Sequence, residues 1–297
     1  MLIINSTQEL QNHLNSIRNQ GKNIKIGFVP TMGALHLGHI SLINKAKAEC
    51  DVVVCSIFVN PTQFNDLSDL DKYPRTLEAD CQLLEKTFCD IVFAPEVTEI
   101  YTEAELELKK LKIEDKTWTK GKSVNFGTLE TVMEGAHRPG HFNGVAQVVS
   151  KLFRIVEPNK AYFGQKDFQQ LAIIRSMTKQ LEMPIQIIAC DIMREPNGLA
   201  MSSRNERLTK EERALASIIS KTLFAIKEHY LSKLITELKA LAEAQIKTVS
   251  SITIEYIEIS DADTLQPIAD FKQSKSAVVC IAVKLGAVRL IDNVLLY

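Results

Sequence analysis

The chain has almost no surplus of charge: 35 Lys plus Arg stand against 36 Asp plus Glu, a net charge of −1 over 297 residues. Such near-neutrality argues against a protein built to wrap nucleic acid or to lie on an anionic membrane, while leaving room for a local basic patch. No apolar run approaches the ~20 residues that span a bilayer. The opening stretch from Met1 to Gln11 is too polar for a signal peptide and lacks its basic start, so none is expected. Cysteine is sparse and unpaired in pattern: Cys50, Cys55, Cys81, Cys89, Cys190 and Cys280 form no C-x-x-C motif and lie in or beside apolar stretches. Disulfides and a cysteine-based zinc site are therefore not expected, and the thiols read as reduced, buried groups of a cytoplasmic protein. Internal repeats and Gly/Ser or Pro linkers are missing too, which leads us to expect closely packed domains.

What is present is core-forming material. Hydrophobic residues make up 45% and charged residues 24%, so the chain buries a sizeable core and is not disordered. The length suggests about two domains at roughly 150 residues each. Over the first 190 residues, short apolar runs alternate with helical stretches. Ile24 to Val29 is a strand ended by Pro30, Gly38 to Cys50 a helix, and Val52 to Val59 a β-branched run typical of a strand covered on both faces. Thr76 to Thr87, Val145 to Val156 and Gln169 to Leu181 are predicted helices. Ile91 to Phe93, Lys160 to Phe163 and Ile185 to Cys190 are predicted strands. This alternation implies a Rossmann-like, doubly wound parallel sheet. The stretch Glu103 to Lys122, with 11 charged residues in 20, breaks the rhythm and reads as an exposed hairpin or flap.

Past Arg207 the pattern changes. Thr209 and Glu212 form a capping box, and Leu215, Ile218, Ile219, Thr222, Leu223 and Ile226 fall on one helical face. A second helix is expected over Ser232 to Thr248. Ile252 to Ile259 partly alternates, and Ala277 to Leu285 and Val288 to Leu296 flank Gly286 as a hairpin. We therefore expect residues 1–190 to form a catalytic α/β domain and residues 191–297 a smaller α+β domain acting as a lid.

The most informative stretch follows the first predicted strand and opens a helix: Met32, Gly33, Ala34, Leu35, His36, Leu37, Gly38 and His39. Phosphates bind at this kind of position in α/β sheets. His36 and His39 are three residues apart, so both rings can face one point in front of the helix's positive end and stabilise charge developing at phosphorus. A zinc pair is disfavoured because no nearby Cys or third His completes a site. Later, Met201, Ser202, Ser203 and Arg204 offer two hydroxyls and a guanidinium able to grip a leaving pyrophosphate.

This His-x-Gly-His in a strand–loop–helix setting, with the Ser-Ser-Arg loop, resembles the nucleotidyltransferase superfamily that includes class I aminoacyl-tRNA synthetases. Further blocks narrow the resemblance: Phe58 to Phe64, Asp71 to Arg75, Glu134 to Phe142, Tyr162 to Gln170, Asp261 to Leu265 and Arg289 to Asn293. Together they are similar to the pantothenate synthetase (pantoate–β-alanine ligase) family, nearly end to end. The resemblance implies an ATP-dependent ligation in which pantoate attacks the α-phosphate to give pantoyl adenylate and pyrophosphate. β-Alanine then displaces AMP to give pantothenate, on the way to coenzyme A. It implies ATP contacts from Met32 through His39, from Gly164, Gln165, Lys166 and Asp167, from Met193, and from Met201 through Arg204. Pantoate falls to Gln63 and Gln170, with Gln63 also near β-alanine, and His39 is marked as proton donor. Magnesium, a homodimer and a cytoplasmic location are expected with it; the magnesium ligands are left unassigned.

The chemistry of these residues agrees. A nucleophilic carboxylate is better held by neutral amides such as Gln63 and Gln170 than by a bidentate Arg, which would withdraw charge from the attacking oxygen. Lys166 supplies a compact charge for the phosphates, and Asp167 either orients that lysine or helps place magnesium. Asn60 and Tyr73 are expected to line the pocket. Glu134 with Arg138 reads as a structural ion pair, and His137 and His141 as structural or solvent-facing. Two departures from the family stand out. Gln165 replaces a customary Glu, and Met193 a branched aliphatic; both are expected to tune rather than abolish function.

Three other readings compete. A mononucleotide adenylyltransferase needs extra basic residues for a phosphate acceptor. A truncated tRNA synthetase is disfavoured by the mixed charge of the last ~100 residues. A non-catalytic nucleotide-binding module sits poorly with the joint presence of His36, His39, Lys166 and Arg204.

Overall fold

Short runs rich in Val, Ile and Phe form six strands: β1 (Leu2–Ile4), β2 (Ile26–Thr31), β3 (Val52–Ile57), β4 (Ile91–Phe93), β5 (Lys160–Gly164) and β6 (Gln186–Cys190). They build one sheet in the order β1-β4-β3-β2-β5-β6, and every pairing is parallel. The computed structural model describes residues 1–21, 23–64, 70–110 and 117–297. Its contacts divide the chain into two units, one of Met1–Phe126, Arg138–Gly164 and Ile173–Cys190, the other of Gly127–His137, Gln165–Ala172 and Asp191–Tyr297. The second unit thus takes in two segments from before residue 190 as well as the C-terminal part.

In the first unit, winding reverses between β2 and β5, so the loops at the carboxyl ends of β3, β2 and β5 occupy the crevice where such sheets bind ligands. The strand β2 runs through Pro30 to Thr31, slightly further than the sequence suggests. Thr31 accepts a bond from Phe58 on the β3 side, so Pro30 faces the β5 side, where pairing reaches only to Phe28. No ladder bond is lost by the missing N–H. The helix Leu37–Glu49 buries Leu42, Ile43 and Ala46 against β2 and β3 residues including Val29 and Val53. All six cysteines are free and buried. Burial pushes the Cys89 thiol up to about 12, which leaves it protonated and inert at neutral pH.

The segment read as an exposed hairpin or flap is corrected in part. Glu103–Lys110 is a helix and Trp118 is buried, while residues 111–116 lie outside the described residues. Glu105 is buried against Lys151, with Nζ to Oε1 at 2.6 Å, and that partner makes a charged helix tolerable in contact with the core.

In the second unit, β7 (Ile252–Asp261), β8 (Ala277–Leu285) and β9 (Val288–Leu296) form an antiparallel sheet, with Gly286 at φ 55° in the β8–β9 turn. One face of that sheet packs on the helices Ser217–His229 and Ile235–Ile246 through Ile219, Leu223, Leu238, Val279, Ile281 and Val294. The Thr209–Glu212 capping box is present. The single helix expected after it is broken at Ala216 into Lys210–Leu215 and Ser217–His229. Among the described residues, no helix is long and apolar enough to cross a membrane.

Candidate active site

The loop leaving β2 makes a tight turn in which Gly33 and Ala34 both take left-handed backbone, φ 82° and 49°. Asp80, from the helix Leu77–Leu84 and only 3% exposed, holds that turn. Its carboxylate accepts the N–H of Ala34 at 2.9 Å, the N–H of Leu35 at 2.7 Å and the Thr76 hydroxyl at 3.2 Å. The Gly33 N–H goes to Thr31 Oγ1. The loop's own donors at 33, 34 and 35 are thus spent on fixing its shape, and the groups it presents are the side chains that follow.

His36 is the N-cap of Leu37–Glu49, its Nδ1 accepting the Gly38 N–H at 3.1 Å. His39 reaches back, its Nδ1 accepting the His36 N–H at 3.3 Å. Two imidazoles thereby replace the Ser and Glu of an ordinary capping box. The rings lie 4.1 Å apart between centroids, tilted by 41°. A ring whose Nδ1 accepts must carry its proton on Nε2, so both histidines are set as Nε2–H donors at the positive end of the helix. Leu37 between them is 60% exposed.

At the end of β3, Asn60 caps the short helix Pro61–Gln63. Its amide is fully engaged: Nδ2 donates to Gln63 Oε1 at 3.1 Å and to the Gly144 carbonyl at 3.2 Å, while Oδ1 accepts from Thr62 and from the Tyr101 hydroxyl at 2.8 Å. Asn60, read as a pocket residue, thus orients Gln63. With Oε1 committed, Gln63 turns Nε2 toward Met32, 2.9 Å from the sulfur. A thioether is a weak acceptor, so that donor is easily redirected to a carboxylate. Gly144 permits this packing, since a methyl group there would sit 2.5 Å from the Thr62 carbonyl oxygen. His141 is buried and structural, Nδ1 donating to the Gln63 carbonyl at 2.9 Å and Nε2 facing Arg138 at 3.2 Å. Tyr73 is buried edge-on to Phe64. Gly164 ends β5, beside β2.

The remaining candidates belong to the second unit. Lys166 is mostly buried, its ammonium 3.9 Å from the half-exposed Asp167 carboxylate, and Gln165 and Gln170 are half-buried. Gln169 is buried and latches the Gly127–His137 segment by bonds to Leu129, Val132 and Glu134. Met193 and Met201 are joined by a backbone bond, and Ser202 caps the turn Ser203–Arg207 by accepting the Arg204 N–H. This hairpin is braced from three sides. Arg194 forms a bidentate pair with Asp292 at 2.6 and 3.0 Å, Asn205 bonds Glu195, and Arg213 bonds Glu195. Burial pushes the Asp292 carboxyl up, against the pull of Arg194. Glu134, read from the sequence beside Arg138, is gripped by Arg289 at 2.6 and 2.8 Å and by the Tyr256 hydroxyl. His137 is exposed and stacks on Tyr256. Among the described residues, no group of three or more His, Cys, Asp and Glu side chains could hold a metal ion.

Asp80, Arg194 and Glu195 carry no mark in the sequence that points to the site. Asp80 gives no local signal, being an acid in the first turn of a helix, where any acid is favourable. Arg194 at least flanks Met193, and Asn205 closes the loop that holds Ser202, Ser203 and Arg204.

The chain is similar to known proteins over nearly its whole length. The family model described as Pantoate-beta-alanine ligase matches residues 2–295. A protein of Phocaeicola vulgatus named pantothenate synthetase is 51% identical over 295 residues, 99% of each chain. One of the same name from Bacteroides thetaiotaomicron is 48% identical over 294 residues, 99% of this chain and 98% of its own. Among solved structures, pantothenate synthetase from Thermus thermophilus superimposes with a TM-score of 0.87 at 36% identity, covering 99% of both chains. The pantoate-beta-alanine ligase of Francisella tularensis, complexed with β-γ ATP and β-alanine, gives 0.77 at 36% identity over 99% of this chain and 97% of that one.

Proposed function

The chain belongs to the pantoate–β-alanine ligase family, and from that premise we propose that it joins pantoate to β-alanine in two steps at an α-phosphorus. In the first, a pantoate carboxylate oxygen attacks the α-phosphorus of ATP and pyrophosphate leaves. In the second, the β-alanine amine attacks the carbonyl carbon of the pantoyl adenylate, the carbon–oxygen bond breaks, and AMP departs with that oxygen. The observation that carries this reading is the His36–His39 pair, two Nε2–H donors fixed by backbone bonds at one helix end. Donors pre-aimed at developing phosphoryl charge lower a barrier without needing to reorganise.

The other roles follow from chemistry. Gln63, oriented by Asn60, and Gln170 hold the pantoate carboxylate as neutral donors, with Gln63 also serving β-alanine. Tyr73 is assigned to the pantoate side. Lys166 supplies point charge to the phosphates, and Ser202, Ser203 and Arg204 are assigned to the leaving pyrophosphate. Met32 to Leu35, Leu37, Gly38, Gly164, Gln165, Met193 and Met201 are assigned to the nucleotide. Magnesium, if carried in with ATP, would neutralise phosphate charge, and Asp167 either orients Lys166 or would contact that ion. The family suggests a homodimer working in the cytoplasm.

The test is an omission series. ATP, magnesium, pantoate and β-alanine are incubated together and with each left out, and the nucleotide product is identified. AMP and pyrophosphate, formed only in the complete mixture beyond one turnover, support the reading; ADP and phosphate contradict it.

A further inference from the structure

Neighbouring residues on a strand point to opposite faces, and on β9 the pair Asp292–Asn293 uses both. Asp292, on the face shared with Leu290, Val294 and Leu296, holds Arg194. Asn293, on the face shared with Leu295, lies toward the cluster that contains Phe168 and Ala172. Only 2% of Asn293 is exposed. Its Nδ2 donates to two successive backbone carbonyls, those of Gln165 at 3.0 Å and Lys166 at 2.9 Å. Its own N–H is fixed by Asp292 Oδ1 at 2.8 Å. The amide cannot be reversed, because Oδ1 would then face two carbonyl oxygens with no proton between them.

A lysine side chain is flexible, and one that must deliver charge to a fixed point depends on where its backbone starts. Carbonyls of two consecutive residues held by one rigid amide set both the position and the direction of the Lys166 Cα–Cβ bond. We propose that Asn293 is a positioning residue for Lys166, acting through the backbone of Gln165 and Lys166. The proposal rests on the reading of Lys166 as a phosphate-binding group. Nothing in it requires Asn293 to touch a substrate.

The experiment is a double-mutant cycle on the adenylation half-reaction, read as exchange of labelled pyrophosphate into ATP in the presence of pantoate. Two variants are used at position 293. Asn293→Ala removes the amide, and Asn293→Leu keeps its branched shape while removing both donors, so that the core is not vacated. Each is expected to slow exchange at saturating ATP by about tenfold in the wild-type background, the loss of two hydrogen bonds' worth of ordering. In the Lys166→Ala background each is expected to cost less than about twofold, because the group being positioned is already gone. A merely structural asparagine would give equal factors in both backgrounds, and that result overturns the proposal, as does wild-type exchange in both Asn293 variants. If Lys166→Ala by itself exchanges at the wild-type rate, the reading of Lys166 is what has failed, and the proposal falls with it.

Discussion

His36 and His39 cap the same helix end and lie 4.1 Å apart, each imidazole accepting a backbone N–H through Nδ1. One ring therefore does two jobs, capping with Nδ1 and donating with Nε2, and a suitable substitution separates them. Asparagine is a good N-cap but has no group at the Nε2 position. His36→Ala is expected to lose about 1 kcal/mol of stability and to slow adenylation by about 10²–10³. His36→Asn is expected to recover the stability, measured by denaturant unfolding, and none of the rate. Recovery of both would show that the histidine serves only as a cap.

Asp80 spends its carboxylate on the N–H groups of Ala34 and Leu35. Asp80→Ala leaves both without a partner, which is expected to cost about 2–4 kcal/mol. Asp80→Asn retains one acceptor and is expected to cost about half as much. Both variants should raise the KM for ATP, since the loop that sets His36 is freed. Calorimetry beside steady-state kinetics checks this; an unchanged KM in a destabilised Asp80→Ala would separate Asp80 from the site.

Much of this was legible in the sequence, and the rest was hidden for an identifiable reason. The runs Val52–Ile57 and Ile91–Phe93 are apolar and β-branched, so local pattern alone marks them as buried parallel strands. His36 and His39 are legible because their spacing and their place after a strand are local facts. Asp80, by contrast, works across 46 residues, Arg194 across 98 and Glu134 across 155. For Glu134 the sequence points to the nearby Arg138, and tertiary packing brings in Arg289 as well. The charged stretch near residue 105 is hard to read locally, because the lysine paired with Glu105 is Lys151, on another helix.

Lys166 tests whether point charge or net charge is needed. Lys166→Ala is expected to slow adenylation by about 10² or more, and Lys166→Arg to stay within about tenfold of that loss, since a planar guanidinium cannot occupy the place of an ammonium. Full activity in Lys166→Arg would show that net charge suffices. Gln165→Glu, which restores the residue usual in the family, is expected to change the rate by less than about tenfold.

An acid-side prediction comes from Glu49. The Lys160 ammonium bonded to its carboxylate, helped by Lys45 and Tyr162 and opposed by burial, holds it from an ordinary 4.5 down to about 2. A carboxyl lowered in the fold contributes stability above its unfolded value and loses that contribution as pH falls through its folded value. Wild type should exceed Glu49→Gln in unfolding temperature by about 1–3 °C at pH 6, the pair being partly screened by solvent. That margin should shrink between pH 4.5 and 2. A margin constant over that window would mean Glu49 acts by packing rather than by charge.

Attack at the α-phosphorus is decided by the fate of one oxygen atom. Pantoate labelled with oxygen-18 in its carboxylate is incubated with ATP, magnesium and β-alanine, and the phosphorus-containing products are separated and weighed by mass spectrometry. One labelled oxygen is expected in the phosphate of AMP and none in pyrophosphate, because the attacking oxygen bridges to the α-phosphorus and leaves with it when the amine displaces AMP. Label in inorganic phosphate, with ADP as the nucleotide product, would place the attack at the γ-phosphorus and contradict the roles given to His36 and His39.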